Sequence, residues 1–133
     1  CVAAVKVLSE ENASLLVVGN TDSAMFPKEL LPYTTRRDFG KGGVKINFLV
    51  NYSWEWDLGL KNGMIGPKLG TADVSRVDLV IRWGGRRRLS GFLPVQSVYS
   101  DFYVVDDYWP DFSPRHVEEA ISWYSRQDVT LGG

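Results

Sequence analysis

The sequence predicts an α/β fold, with a largely parallel sheet flanked by helices. Two observations carry this expectation. Short apolar runs of the buried-strand type recur at 14–18, 44–51 and 78–82. Apolar stripes at helical spacing lie before and after them. Strands that alternate with helices in this way form parallel sheets covered by helices.

The elements follow in order. Val2, Val5 and Leu8 lie on one helical face, and Glu10-Glu11-Asn12 ends that segment. Ser14-Leu15-Leu16-Val17-Val18 is short enough to read as a buried strand, closed by Gly19-Asn20. Residues 21–41 are polar and irregular; Pro27 and Pro32 break any long helix, and Lys28-Glu29-Leu30-Leu31 has room for one turn. Gly42-Gly43 introduces the clearest strand, in which Val44, Ile46, Phe48 and Val50 alternate with their neighbours. Gly59, Gly63, Gly66, Pro67 and Gly70 predict a loop. Asp78-Leu79-Val80-Ile81-Arg82 is a third buried strand, ended by Gly84-Gly85. A helix near 90–102 is expected next. Ser90 suits its N-cap, Phe92, Val95, Tyr99 and Phe102 keep helical spacing, and Pro94 falls in the tolerant first turn. Phe102-Tyr103-Val104-Val105 reads either as a fourth strand or as that helix's end. Ser113-Pro114 opens a last helix, striped by Val117, Ala120, Ile121 and Tyr124, and Gly132-Gly133 reads as a flexible end. The three strands are expected side by side in one parallel sheet. No repeat or linker divides the chain, so 1–133 reads as a single domain.

Composition narrows the functions. Fifteen Lys and Arg face sixteen Asp and Glu, a formal net charge of -1. Such a balance gives no broad nucleic-acid face. A single cysteine, Cys1, excludes an internal disulfide and a Cys-based zinc site. A single histidine, His116, removes most His-based metal and triad chemistry, and its place in the last helix reads as surface. No apolar run approaches the roughly 20 residues that span a bilayer. The chain opens with Cys1 and reads as helix from Val2, so it is expected to begin inside a longer protein.

The segment 82–90 carries the strongest chemical signal. Arg82, Arg86, Arg87 and Arg88 are four arginines within seven residues, beside Gly84-Gly85 and followed by Ser90. Arginine binds phosphate oxygens bidentately and stays charged at any relevant pH. The glycines can bring backbone N–H groups to an anion, and a helix start at Ser90 would add its own amides. Strand end, glycine turn, arginines and helix start make a diphosphate cradle; the competing reading is a solvated basic loop. Downstream, Asp101, Asp106, Asp107 and Asp111 occur with no Lys or Arg between Tyr99 and Phe112. One carboxylate near a diphosphate can hold Mg²⁺, whereas the last three aspartates read as turn formers. Tyr99, Phe102, Tyr103, Tyr108, Trp109 and Phe112 read as core or interface residues. Two sequons, at Asn12 and Asn51, read as chance matches.

Asp78-Leu79-Val80-Ile81-Arg82-Trp83-Gly84-Gly85-Arg86-Arg87-Arg88-Leu89-Ser90-Gly91-Phe92-Leu93 resembles D-L-V-I-R-T-G-G-E-x-R-I-S-N-F-L, the signature of the cis-prenyltransferases. These are the undecaprenyl diphosphate synthase-like enzymes. The resemblance continues through Gln96, Tyr99-Ser100-Asp101-Phe102-Tyr103 and Trp109-Pro110-Asp111-Phe112. Val44 to Tyr52 is similar to the preceding strand that ends in N-Y, Leu16 to Asn20 to the earlier I-I-G-D strand, and Leu131-Gly132-Gly133 to the R-F-G-G ending. The resemblance implies that Arg82, Arg88 and Ser90 bind the diphosphate of isopentenyl diphosphate. It implies that Asp101, where the family usually has Glu, helps hold Mg²⁺. It also implies condensation of isopentenyl diphosphate with an allylic diphosphate, with a new cis double bond. A homodimer or heteromer, and a cytoplasmic location with peripheral membrane association, follow from the same resemblance.

The departures are equally specific. The family's M-D-G-N-G-R-W segment, which carries the catalytic aspartate, has no counterpart here, so no catalytic residue is assigned. The signature Thr, Glu and Asn are Trp83, Arg86 and Gly91, and the terminal Arg is matched by Thr130. The connection from Tyr52 to Asp78 is shorter than usual. The leading expectation is a cis-prenyltransferase-like protein that represents the C-terminal part of the fold. A non-catalytic partner subunit of a heteromeric cis-prenyltransferase is the alternative, and an RNA-phosphate binder using residues 86–88 is a weaker third.

Overall fold

The computed structural model of the chain describes residues 1–128. They fall into two compact units, one spanning Cys1–Val74 and a second beginning at Ser75.

The first unit opens with helix α1 (Val2–Leu8), then strands β1 (Ala13–Val18), β2 (Arg37–Asp38) and β3 (Val44–Leu49), and helix α2 (Trp54–Asp57). A 3₁₀ helix, Lys28–Tyr33, fills the connection from β1 to β2. β1 is the middle strand of a three-stranded sheet, antiparallel to β2 and parallel to β3, with Ala13 opposite Val44 and Val18 opposite Leu49. Its central place explains its sequence, since all six of its residues are buried. Val5, Leu15, Val17, Phe26 and Leu30 form the core, with Val2, Leu8, Ile46, Phe48 and Val50 packed against it. Each such side chain contributes about 1.5–3 kcal/mol relative to exposure. The expected helical face and strand alternation are therefore the faces that pack. Val44 is the exception: it lies at the strand's open end, 70% exposed.

The ends of β1 and β3 meet closely. Val50 N–H donates to Val18 O at 2.9 Å, and Asn20 N–H to Asn51 O at 3.2 Å. Gly19 lies where a Cβ would come within 1.6 Å of the Val50 carbonyl oxygen. Both sequon asparagines are engaged: the Asn12 side-chain oxygen accepts from Lys41 N–H, and the Asn51 amide donates to Asn20 O.

The second unit contains strands β4 (Leu79–Trp83) and β5 (Asp101–Val105) and helix α3 (Pro114–Tyr124). β4 and β5 are parallel, with Leu79 opposite Asp101 and Trp83 opposite Val105. Ser113 caps α3 as expected, and its N–H is met in return by the His116 ring. α3 meets β5 through Trp123 and Tyr103, whose rings lie 5.4 Å apart.

Mixed α/β structure with parallel pairing is thus present in each unit: β1 with β3 in the first and β4 with β5 in the second. One detail differs from expectation. No helix forms over 90–102. Ser90, Gly91 and Leu93 have φ of +53°, +77° and +41°. These left-handed values are incompatible with a right-handed helix. The spacing of Phe92, Val95 and Tyr99 mimicked a helix across a series of turns. The terminal Leu131-Gly132-Gly133 match, and Thr130, lie outside the described residues.

Candidate functional site

The arginine segment begins where β4 ends. Gly84 and Gly85 turn the chain with φ of +88° and +65°, a conformation glycine takes without Cβ strain. Their N–H groups do not point to an anion. Gly84 N–H donates to Asp107 O at 2.8 Å and Gly85 N–H to Val105 O at 3.1 Å. The expectation that this pair supplies amides to a phosphate is corrected: its amides tie the end of β4 to the end of β5. The helix amides expected at Ser90 are absent for the reason given above.

What remains is a side-chain site. Arg82, Arg88 and Ser90 line one cavity of about 240 Å³. The Arg82 Nη1 donates to the carbonyl oxygen of Arg88 and, at 3.2 Å, to the Ser90 hydroxyl. These contacts fold the segment back over the strand end and fix the guanidinium at the cavity edge. The rest of the wall is apolar: Val80 and Ile81 from β4, Phe102 from β5, and Leu89 and Phe92. A few convergent cationic and hydroxyl groups beside an apolar wall suit a small amphiphile with an anionic head.

The other arginines part company here. Arg87 lines a different groove, with Phe102, Tyr103, Val104 and Trp123. Arg86 is exposed and lines neither space. Asp101 does not line the Arg82 cavity. It opens β5 opposite Leu79, whereas Arg82 lies opposite Val104. Three residues of strand separate them, about 10 Å along the chain. Among the described residues no three His, Cys, Asp or Glu side chains gather to hold a metal ion. Magnesium shared with substrate phosphates needs only one or two carboxylates, not such a cluster.

Sequence reasoning missed the role of His116. Its side chain is 14% exposed and bridges three segments. Nδ1 accepts from the Trp83 indole N–H at 3.1 Å and from Ser113 N–H at 3.3 Å, and Nε2 lies 3.2 Å from Asp107. Trp83 also meets Trp109 edge-on at 4.9 Å and Phe112 at 5.8 Å. The tryptophan standing in place of the signature Thr is thus a structural keystone. The outer rings of this cluster stay open, with Trp109 63% and Tyr108 72% exposed.

A cavity lined by two arginines and a serine at the end of a parallel strand, within an α/β unit, makes this an α/β protein with a cationic pocket. The chain belongs to the prenyltransferase family described as putative undecaprenyl diphosphate synthase, whose model matches residues 2–132. It is similar to the ditrans,polycis-undecaprenyl-diphosphate synthase ((2E,6E)-farnesyl-diphosphate specific) of Aliivibrio fischeri. The two are 29% identical over 149 residues, covering 96% of this chain and 58% of the relative. The enzyme of the same name from Buchnera aphidicola subsp. Schizaphis graminum is 31% identical, with 97% and 60% covered. The isoprenyl transferase of Geobacillus kaustophilus is 31% identical, with 95% and 57% covered. The chain therefore spans about three fifths of the length of the curated relatives it matches. Among the described residues, no helix is long and apolar enough to cross a membrane.

Proposed function

We propose that this chain carries the isopentenyl diphosphate site of a cis-prenyltransferase. The observation that supports it is the convergence of Arg82, Arg88 and Ser90 on one cavity with an apolar wall. The diphosphate would lie against the two guanidinium groups and the hydroxyl, and the five-carbon group against Val80, Ile81 and Phe102. In the reaction the allylic C–O bond breaks, and its electron pair leaves on the allylic diphosphate. The isopentenyl double bond supplies the electrons of the new C–C bond, and a proton leaves the adjacent carbon. This chain's part is to hold and orient the nucleophile. Magnesium, which the resemblance implies, would sit on diphosphate oxygens, its preferred hard ligands. Residues for allylic activation would come from outside the segment that this chain matches.

A second reading has one observation in its favour. Trp83 replaces the signature Thr and is enclosed by Trp109, Phe112 and His116. That change favours a non-catalytic partner subunit, and the open rings of Trp109 and Tyr108 would then meet the other subunit.

Calorimetric titration of isopentenyl diphosphate tests both. The first reading expects binding that Arg82→Ala or Arg88→Ala weakens roughly tenfold or more, since each charge-assisted hydrogen bond contributes about 1.5–3 kcal/mol. Arg86→Ala and Arg87→Ala should have smaller effects. Equal binding by all four variants would identify the arginines as surface charge. No binding, together with co-purification of a longer prenyltransferase chain, would favour the partner subunit.

A further inference from the structure

The chain that follows β4 is open. Residues 84–90 belong to neither helix nor strand, and Arg86, Arg87, Arg88 and Ser90 are exposed. A serine that caps a helix is engaged by the amides of its first turn. Ser90, with its left-handed φ of +53°, starts no helix and offers its hydroxyl from a turn. Arg88 and Arg87 stand two and three positions before it. No other Ser or Thr in the chain has a basic residue at both places, and there is no Asp or Glu from 79 to 100. An exposed hydroxyl preceded by paired arginines matches the acidic substrate groove of a basophilic protein kinase, which selects by charge. The signature Glu would oppose such a groove, whereas Arg86, in its place, adds to the attraction. No helix or strand has to unwind for the segment to enter that groove.

We propose that Ser90 is phosphorylated by a basophilic kinase, and that the phosphate closes the Arg82 cavity to other anions. The Ser90 Oγ attacks the γ-phosphorus of ATP, and its proton passes to the kinase's base. The bond from that phosphorus to the β,γ-bridging oxygen breaks, and ADP leaves with the electron pair. The product carries a charge between about −1.5 and −2 and three acceptor oxygens. Arg82 Nη1 already donates to Ser90 Oγ at 3.2 Å, and Arg88 lines the same cavity. A tethered phosphate meets these guanidinium groups at an effective concentration on the order of millimolar. It also repels a second anion. The modification stands on exposure and sequence alone. Its effect on substrate rests on reading the cavity as the isopentenyl diphosphate site.

The test is incubation of the folded chain with Mg-ATP and the purified catalytic subunit of cyclic-AMP-dependent protein kinase. Peptide mass spectrometry should find one phosphate, on Ser90. Arg87 lines a different groove, and Arg87→Gln should slow labelling roughly tenfold or more. In phosphorus-31 titration the phosphoserine should ionise at lower pH in the folded chain than in urea. Arg82→Gln should remove most of that difference. Calorimetry should show isopentenyl diphosphate bound roughly tenfold or more weakly by the phosphorylated chain. The proposal is overturned by label on another residue, or by label only in a peptide of residues 84–93. It is also overturned by labelling indifferent to Arg87→Gln, by a phosphoserine that titrates alike folded and unfolded, or by undiminished isopentenyl diphosphate binding. If the unmodified chain binds no isopentenyl diphosphate, the cavity reading fails by itself, and the proposal stands or falls on the phosphorus-31 difference.

Discussion

Arg82 and Ser90 stand eight positions apart, joined by a hydrogen bond of 3.2 Å from guanidinium to hydroxyl. The contact exists because Gly84-Gly85 reverse the chain and because Ser90 itself takes a left-handed φ of +53°. Such strain in a non-glycine residue costs about 1–2 kcal/mol and is characteristic of functional sites.

The strain and the hydroxyl can be separated by substitution at Ser90. Ser90→Gly and Ser90→Ala both remove the hydroxyl. Both should weaken isopentenyl diphosphate binding by roughly threefold to tenfold, the worth of one net hydrogen bond. Only Ser90→Gly relieves the backbone, so it should be more stable than Ser90→Ala by about 1 kcal/mol in urea unfolding. Equal stability of the two variants would show that the left-handed turn is not populated in solution.

Thr71 gives a second expectation. Its hydroxyl donates to the fully buried carboxylate of Asp57. Thr71→Val keeps the shape and removes the donor, which should cost about 1.5–3 kcal/mol. Thr71→Ser should restore most of this. A valine variant as stable as the unmodified protein in denaturant titration would contradict the role of this clamp.

His116 is assigned one tautomer by its neighbours. Nδ1 accepts from the Trp83 indole and from Ser113 N–H, so the proton sits on Nε2, toward Asp107. Nitrogen-15 spectra of the ring should show the Nε2–H form, and Trp83→Phe should loosen that preference. A dominant Nδ1–H form would mean that Trp83 and His116 are not joined.

Much of this was legible in the sequence. Val2, Val5 and Leu8, the run 14–18, and Ser113-Pro114 were readable because local pattern and burial agree there. The gathering of Arg82, Arg88 and Ser90 rested on the signature, and the cavity brings the three together. The helix expected at 90–102 failed because the apolar spacing of Phe92, Val95 and Tyr99 is equally served by turns. Residues with left-handed φ, such as Leu93, leave no mark in composition. The run at 102–105 read equally as strand or helix end, and its strand character shows only in the parallel register of β5 with β4. His116 escaped because its hydrogen bond to Trp83 links positions 33 residues apart.

Gly19 offers a stringent check on the parallel pair β1–β3. A Cβ there would lie 1.6 Å from the carbonyl oxygen of Val50, and backbone cannot yield as a flexible side chain can. Gly19→Ala should destabilise the chain severely, by at least about 4 kcal/mol, the range reserved for backbone and core disruption. Retained solubility and a normal melting curve would mean that the strand ends are not so close.

The last expectation concerns Asp101. The resemblance makes it a magnesium ligand, yet the register sets it opposite Leu79 and outside the cavity lined by Arg82, Arg88 and Ser90. Magnesium binds through one or two carboxylates together with substrate phosphates, at about 2.1 Å from each oxygen. With its backbone about 10 Å along the strand pair from Arg82, the Asp101 carboxylate meets such a metal only if the diphosphate extends from Arg82 toward the start of β5. Asp101→Asn should therefore leave isopentenyl diphosphate affinity unchanged, with Mg²⁺ and without it, whereas Arg82→Ala should weaken it in both conditions. Calorimetry of the two variants decides the matter. If Asp101→Asn abolishes a gain in affinity that Mg²⁺ gives the unmodified chain, Asp101 is a ligand after all. The diphosphate would then have to lie along β5, toward Asp101, instead of at the guanidinium of Arg82.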